Sequence, residues 1–156
     1  ERWLQVRVKH LKRIRSRYRS RAMTVHLYEH QQRVMEQIRP YNRCAVYVDM
    51  GGGKTFIGSE KMKELGNKVN LVVCHKSKVQ DWVDHFNEYY ASGQVGVFNL
   101  THATELDHFM GQITLGWHTV IGVINYDLVW RRTDLLSLKD FTLMLDESSL
   151  IQNHST

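Results

Sequence analysis

The run Val48-Asp49-Met50-Gly51-Gly52-Gly53-Lys54-Thr55 constrains this chain more than any other stretch, because it sets a glycine run, a lysine and a hydroxyl in one short loop. Residues without a Cβ let main-chain N–H groups converge on an anion. The lysine that follows can reach β- and γ-phosphates, and the threonine hydroxyl can take one coordination position on Mg²⁺. Such a loop works only between a strand and a helix. Cys44–Val48 reads as a short apolar strand and Thr55–Leu65 as a helix, so both flanks are expected. Gly51, Gly52, Gly53, Lys54 and Thr55 are therefore the expected phosphate-binding residues, with Thr55 also on the metal. Where the phosphate-loop pattern places its first glycine, this chain has Val48.

With 156 residues the chain has the length of one domain with a real core. Its 42% hydrophobic and 24% charged residues are the balance of a soluble globular protein. No apolar run approaches a membrane span, and the basic N-terminus lacks the apolar block of a signal peptide. A cytoplasmic location is expected, or a nucleoid or nuclear one with DNA. Cys44 and Cys74 fall in or at the end of expected buried strands without metal-ligand spacing, so both read as reduced core thiols. The nine histidines are scattered, and no zinc site is expected.

Charge is uneven. Residues 1–21 hold nine arginines and lysines against Glu1 alone, which leaves 12 basic and 15 acidic residues for the rest. The net +5 belongs to the N-terminal segment, and the body is mildly acidic. Trp3, Val6, Val8, Leu11, Ile14 and Tyr18 recur near helical spacing, so residues 1–23 read as a basic helical arm. Two uses fit it: a segment that tracks phosphates, or a solvated extension that packs its apolar stripe on the body.

Leu27–Ile38 reads as a helix with Leu27, Val34, Met35 and Ile38 on one face, closed by Pro40. Gln31 lies on it shortly before the glycine loop. A glutamine there can offer a donor and an acceptor to an adenine edge, and it can equally be a surface residue. Asn70–Cys74 reads as a buried strand. His75, Lys76, Ser77 and Lys78 follow as a polar loop where nucleic-acid backbone contacts would lie, or as a plain helix start with Ser77 as N-cap. The stripe Val79, Trp82, Val83, Phe86, Tyr90 marks a core-facing helix. Val95–Leu100 is expected as a strand, Glu105–Leu115 as a helix, Thr119–Ile124 as a strand and Phe141–Leu145 as the last strand. That strand runs into Asp146-Glu147. Alternating strands and helices predict an α/β fold with a mainly parallel sheet and helices on both faces. A carboxylate pair at a strand end, downstream of a phosphate loop, can hold Mg²⁺ through Asp146 and orient and deprotonate an attacking water through Glu147.

These motifs in this order carry a family resemblance: Gln31; Asp-Met-Gly-Gly-Gly-Lys-Thr at 49–55; Leu-Val-Val-Cys-His-Lys-Ser at 71–77 with Trp82; Val-Ile-Asn-Tyr-Asp at 123–127; and Leu-Asp-Glu-Ser-Ser-Leu-Ile-Gln-Asn at 145–153. From about residue 25 to residue 156 the chain resembles the first RecA-like domain of superfamily 2 helicases, and within these it is most similar to the Swi/Snf branch. Two positions depart from the pattern. Ser148-Ser149 stands where Ala-His or Ala-Asp is common, and Gln152 stands where lysine is usual.

The resemblance implies a three-layer P-loop NTPase (RecA-like) fold over residues 24–156, preceded by the basic arm. It implies ATP and Mg²⁺ as cofactors and hydrolysis coupled to movement on nucleic acid, duplex DNA first. Lys54, Asp146 and Glu147 would be catalytic, Gln31 would read adenine, and Asn125 and Tyr126 would join the loop at His75–Lys78 on nucleic acid. A second RecA-like domain is the implied partner; without its arginines, worth about 10³–10⁵ in rate, hydrolysis by this stretch alone is expected to be slow. The other reading is a nucleic-acid-binding or adaptor module with a vestigial nucleotide site.

Overall fold

The computed structural model describes residues 23–47, 52–116 and 118–147. The basic arm up to residue 22, the loop residues Val48 to Gly51 and the segment after Glu147 lie outside the described residues.

Among the described residues the sheet has four strands, all parallel, in the order β2-β3-β1-β4. They are β1 (Val69–Cys74), β2 (Val95–Asn99), β3 (Thr119–Asn125) and β4 (Phe141–Leu145). Among the described residues five α-helices connect or precede them: α1 (Glu29–Ile38), α2 (Lys54–Leu65), α3 (Val79–Tyr89), α4 (Ala103–Leu115) and the single turn α5 (Tyr126–Val129). Parallel strands need crossovers, and these helices supply them.

The two central strands are buried on both faces, which is why β1 and β3 read as continuous apolar runs. Side chains still alternate with a period of two. Val72 and Cys74 join Met62 of α2 and Trp82, Val83 and Phe86 of α3 on one face. Leu71 and Val73 join Phe98, Leu106, Phe109 and Ile124 on the other, under α4. A smaller cluster of Met35, Ile38 and Ile57 fastens α1 onto α2. The buried Lys61 strengthens that joint: its Nζ donates to the carbonyl of Arg39 at 3.1 Å, placing a cation at the negative end of α1.

The expected strand at Cys44–Val48 is not formed over its described part. Residues 44–47 are irregular, Cys44 is exposed, and Tyr47 is 94% exposed. Only Val46 turns inward, against the α1–α2 cluster. A run of β-prone residues becomes a strand only where a ladder partner is available, and β4 pairs with β1 alone among the described strands. Cys44 is thus not a core thiol, whereas Cys74 is fully buried, and both are free.

Candidate functional site

The site begins at α1. Gln31, Met35 and Ile38 form its buried stripe, so the glutamine lies on the apolar face, 4% exposed. Its Oε1 accepts from the Tyr28 N–H at 2.9 Å, which fixes the amide and leaves its Nε2 hydrogens as the remaining donors. Nε2 rests against the glycine loop: a Cβ built on Gly53 would lie 1.9 Å from it. Gly53 also has φ 73°, in the left-handed region, so both conformation and space demand glycine there. The neighbouring His30 ring contacts the Gly52 carbonyl at 3.3 Å.

Helix α2 starts immediately after Gly53, so its free N–H groups and positive end face the loop. Lys54 is exposed and Thr55 half-buried at that end. Thr142, Met144 and Asp146 share one face of β4, and α2 lies along it. Asn67, just past the helix, donates to Thr142 Oγ1 at 2.8 Å, and a Cβ on Gly58 would come within 2.6 Å of Met144 Sδ. The helix therefore runs antiparallel to β4. The end of α2 that carries Lys54 and Thr55 thus points the same way as the carboxyl end of β4, after which Asp146 follows.

Asp146 is held from several directions. Its N–H donates to Val73 O at 2.9 Å, continuing the β1–β4 ladder by one residue. Its carbonyl accepts from the Tyr126 hydroxyl at 2.6 Å, and its Oδ2 accepts from the Trp82 indole N–H at 2.8 Å. Burial, reinforced by the Asp146 charge, pushes the Tyr126 hydroxyl up to about 12 and the Cys74 thiol up to about 12. Tyr126 thus stays a donor and Cys74 a neutral thiol. Glu147 follows, exposed, with φ 55°. That region costs a non-glycine residue about 1–2 kcal/mol and is one place where functional sites store strain.

Behind α2, Ser59 Oγ donates to the Thr55 carbonyl at 2.7 Å and meets His85 Nε2 at 2.9 Å. With the serine hydrogen committed, His85 must donate from Nε2, so the ring is the neutral Nε2–H tautomer. Phe56, Trp82, Phe86, Tyr89 and Tyr90 surround that ring. Burial lowers His85 from 6.5 to about 4. The unfolded chain therefore holds more protons between these values, and stability is complete above pH 6.5 and falls as pH drops towards 4. After discounting for partial exposure, the loss is about 1–2 kcal/mol. Denaturant titrations at pH 7 and pH 4.5 are expected to show this difference, and to show it reduced in His85→Phe.

The remaining expected residues lie at the carboxyl edge of the sheet, the edge where ligands sit in open α/β folds. Lys76–Lys78 forms a 3₁₀ turn after β1. Ser77 is not the N-cap of α3. His75 caps the turn, its Nδ1 accepting from Ser77 N at 3.3 Å and lying 2.8 Å from Ser77 Oγ, because the ring reaches the free N–H two residues on. Lys78 pairs with Asp81 at 3.2 Å. Asn125 ends β3, 5% exposed, and Tyr126 opens α5 with its hydroxyl committed to Asp146. Lys76, Asn125, Asn99, Thr101 and Arg131 line a cleft of about 420 Å³ at this edge. The Trp82 and His85 bonds were not read from sequence. The signal for Trp82 was available: a buried indole N–H requires an acceptor.

A parallel α/β sheet with helices on both faces, a glycine at φ 73° opening a helix and a carboxylate just past a strand end are consistent with a RecA-like fold. Residues 8–156 match the family model of the SNF2-related domain, and the chain belongs to that family, a Swi/Snf-like branch of the superfamily 2 helicase ATPases. No curated protein matches the chain. No helix among the described residues is long and apolar enough to cross a membrane.

Proposed function

We propose that this chain binds ATP with Mg²⁺ and is the ATP-binding half of a DNA translocase motor. The observation that carries the reading is the antiparallel course of α2 along β4, which turns the helix end bearing Lys54 and Thr55 toward the strand end that leads into Asp146. The donors suit the ligand. A helix N-terminus behind a glycine at φ 73° is an anion site, and a threonine hydroxyl with an aspartate is the hard oxygen set that Mg²⁺ takes. The metal, when bound, neutralises charge on the phosphates. Lys54 would take the β- and γ-phosphates, Asp146 would hold the metal, Glu147 would orient and deprotonate the attacking water, and Gln31 would read the adenine.

His75, Lys76, Ser77, Lys78, Asn125 and Tyr126 lie on the edge proposed to face duplex DNA. A second RecA-like domain would complete the γ-phosphate site with arginine. The test is a titration of the chain with ATP and Mg²⁺. Saturable binding, weakened at least tenfold in Lys54→Ala, is expected. Equal, weak binding by both proteins would instead leave a nucleic-acid-binding or adaptor module.

A further inference from the structure

The acceptor that Trp82 finds is the one carboxylate the site most needs to hold still. We propose that Trp82 is a positioning residue that fixes the Asp146 carboxylate for the metal, an inference that rests on the ATP and Mg²⁺ reading above. The geometry is specific. The main chain of Asp146 is pinned by Val73 O on one side and by the Tyr126 hydroxyl on the other, so the side-chain torsions are the freedom that remains. The indole N–H removes it by bonding Oδ2 at 2.8 Å. A carboxylate accepts at two oxygens and about four positions, so this bond leaves acceptor capacity for a metal-bound water.

Trp82 is itself rigid. It is 5% exposed, stacked on Phe86 at 5.4 Å and edge-on to His85 at 5.8 Å, in the cluster with Met62 and Cys74. A donor already ordered by packing orients its acceptor without being ordered on binding. His85, one turn further along α3, holds Ser59 and through it the Thr55 carbonyl. One face of α3 therefore braces both residues expected on the metal.

Groups that orient metal ligands from outside the coordination sphere typically change metal affinity by about 10–100-fold when removed. The experiment is Mn²⁺ binding to the full chain, followed by electron paramagnetic resonance at saturating ATP. The variants are Trp82→Phe, Phe86→Leu and a protein in which benzothienylalanine replaces Trp82, keeping the bicyclic ring but not the N–H. Expected is a 10–100-fold weaker Mn²⁺ affinity for the two Trp82 replacements, with metal-free ATP affinity and Phe86→Leu near wild type. If Trp82→Phe does not fold, the benzothienyl protein alone decides. Unchanged Mn²⁺ affinity without the indole N–H, or an equal loss in Phe86→Leu, overturns the positioning role and leaves the ATP site standing. Wild type that takes no Mn²⁺ with ATP overturns both.

Discussion

Replacing Glu147 with glutamine is expected to lower ATP turnover by about 10²–10⁴-fold while leaving Mg²⁺–ATP affinity within a few-fold of wild type. The magnitude is that of a positioned general base, the role proposed for this residue. Glutamine keeps the shape and the hydrogen-bonding reach but cannot accept the proton. Asp146, one residue earlier, keeps its bonds to Trp82, Tyr126 and Val73, so the metal side is untouched. Backbone strain is also unchanged, because both side chains meet the same obstacle at φ 55°, and the unfolding midpoint should not move. Single-turnover hydrolysis, measured with the proposed second RecA-like partner and DNA supplied, gives the rate; equilibrium ATP binding gives the affinity. Turnover within about threefold of wild type would place the base elsewhere. A joint loss of rate and affinity would assign Glu147 to binding.

What the sequence could say depended on whether the deciding contacts were local. Helix α3 was legible because Val79, Trp82, Val83 and Phe86 repeat at helical spacing, and all four are buried. The strands β1 and β3 were legible because both faces are covered, which leaves long apolar runs. Cys44–Val48 misled because its composition is that of a strand while pairing depends on a neighbour far along the chain. Gln31 shows a finer limit: it lies on the stripe with Met35 and Ile38, and a polar residue among apolar ones is legible as buried only once its partner at Gly53 is known. The Trp82–Asp146 bond joins residues 64 apart, beyond the reach of any periodicity. At His75 the local chemistry is present in the sequence, but propensity favours serine as the cap where the imidazole reaches the N–H first.

The largest stability loss is expected on the face of the sheet away from the α2–α3 brace, where Phe109→Ala should destabilise the fold by about 3–5 kcal/mol. Phe109 is fully buried, packs edge-to-face on Phe98 at 5.8 Å, and lies over Gly122 of β3. A domain is stable by only about 5–15 kcal/mol, so this one ring accounts for a large share. Gly122 is the counterpart of that ring: a Cβ there would meet Leu100 Cδ1 at 2.5 Å and Phe109 Cε2 at 3.0 Å. Gly122→Ala alone should cost about 1–3 kcal/mol through overpacking, because Leu100 is fully buried and has nowhere to move. Removing the Phe109 ring opens that space, so the same Gly122→Ala change should cost less in the Phe109→Ala background. Urea titrations of the four proteins in the cycle would give a coupling of about 0.5–3 kcal/mol, with the double mutant more stable than the sum of the two losses implies. Strict additivity would mean that the ring and the glycine do not share the space, and that Leu100 alone sets the clash at Gly122.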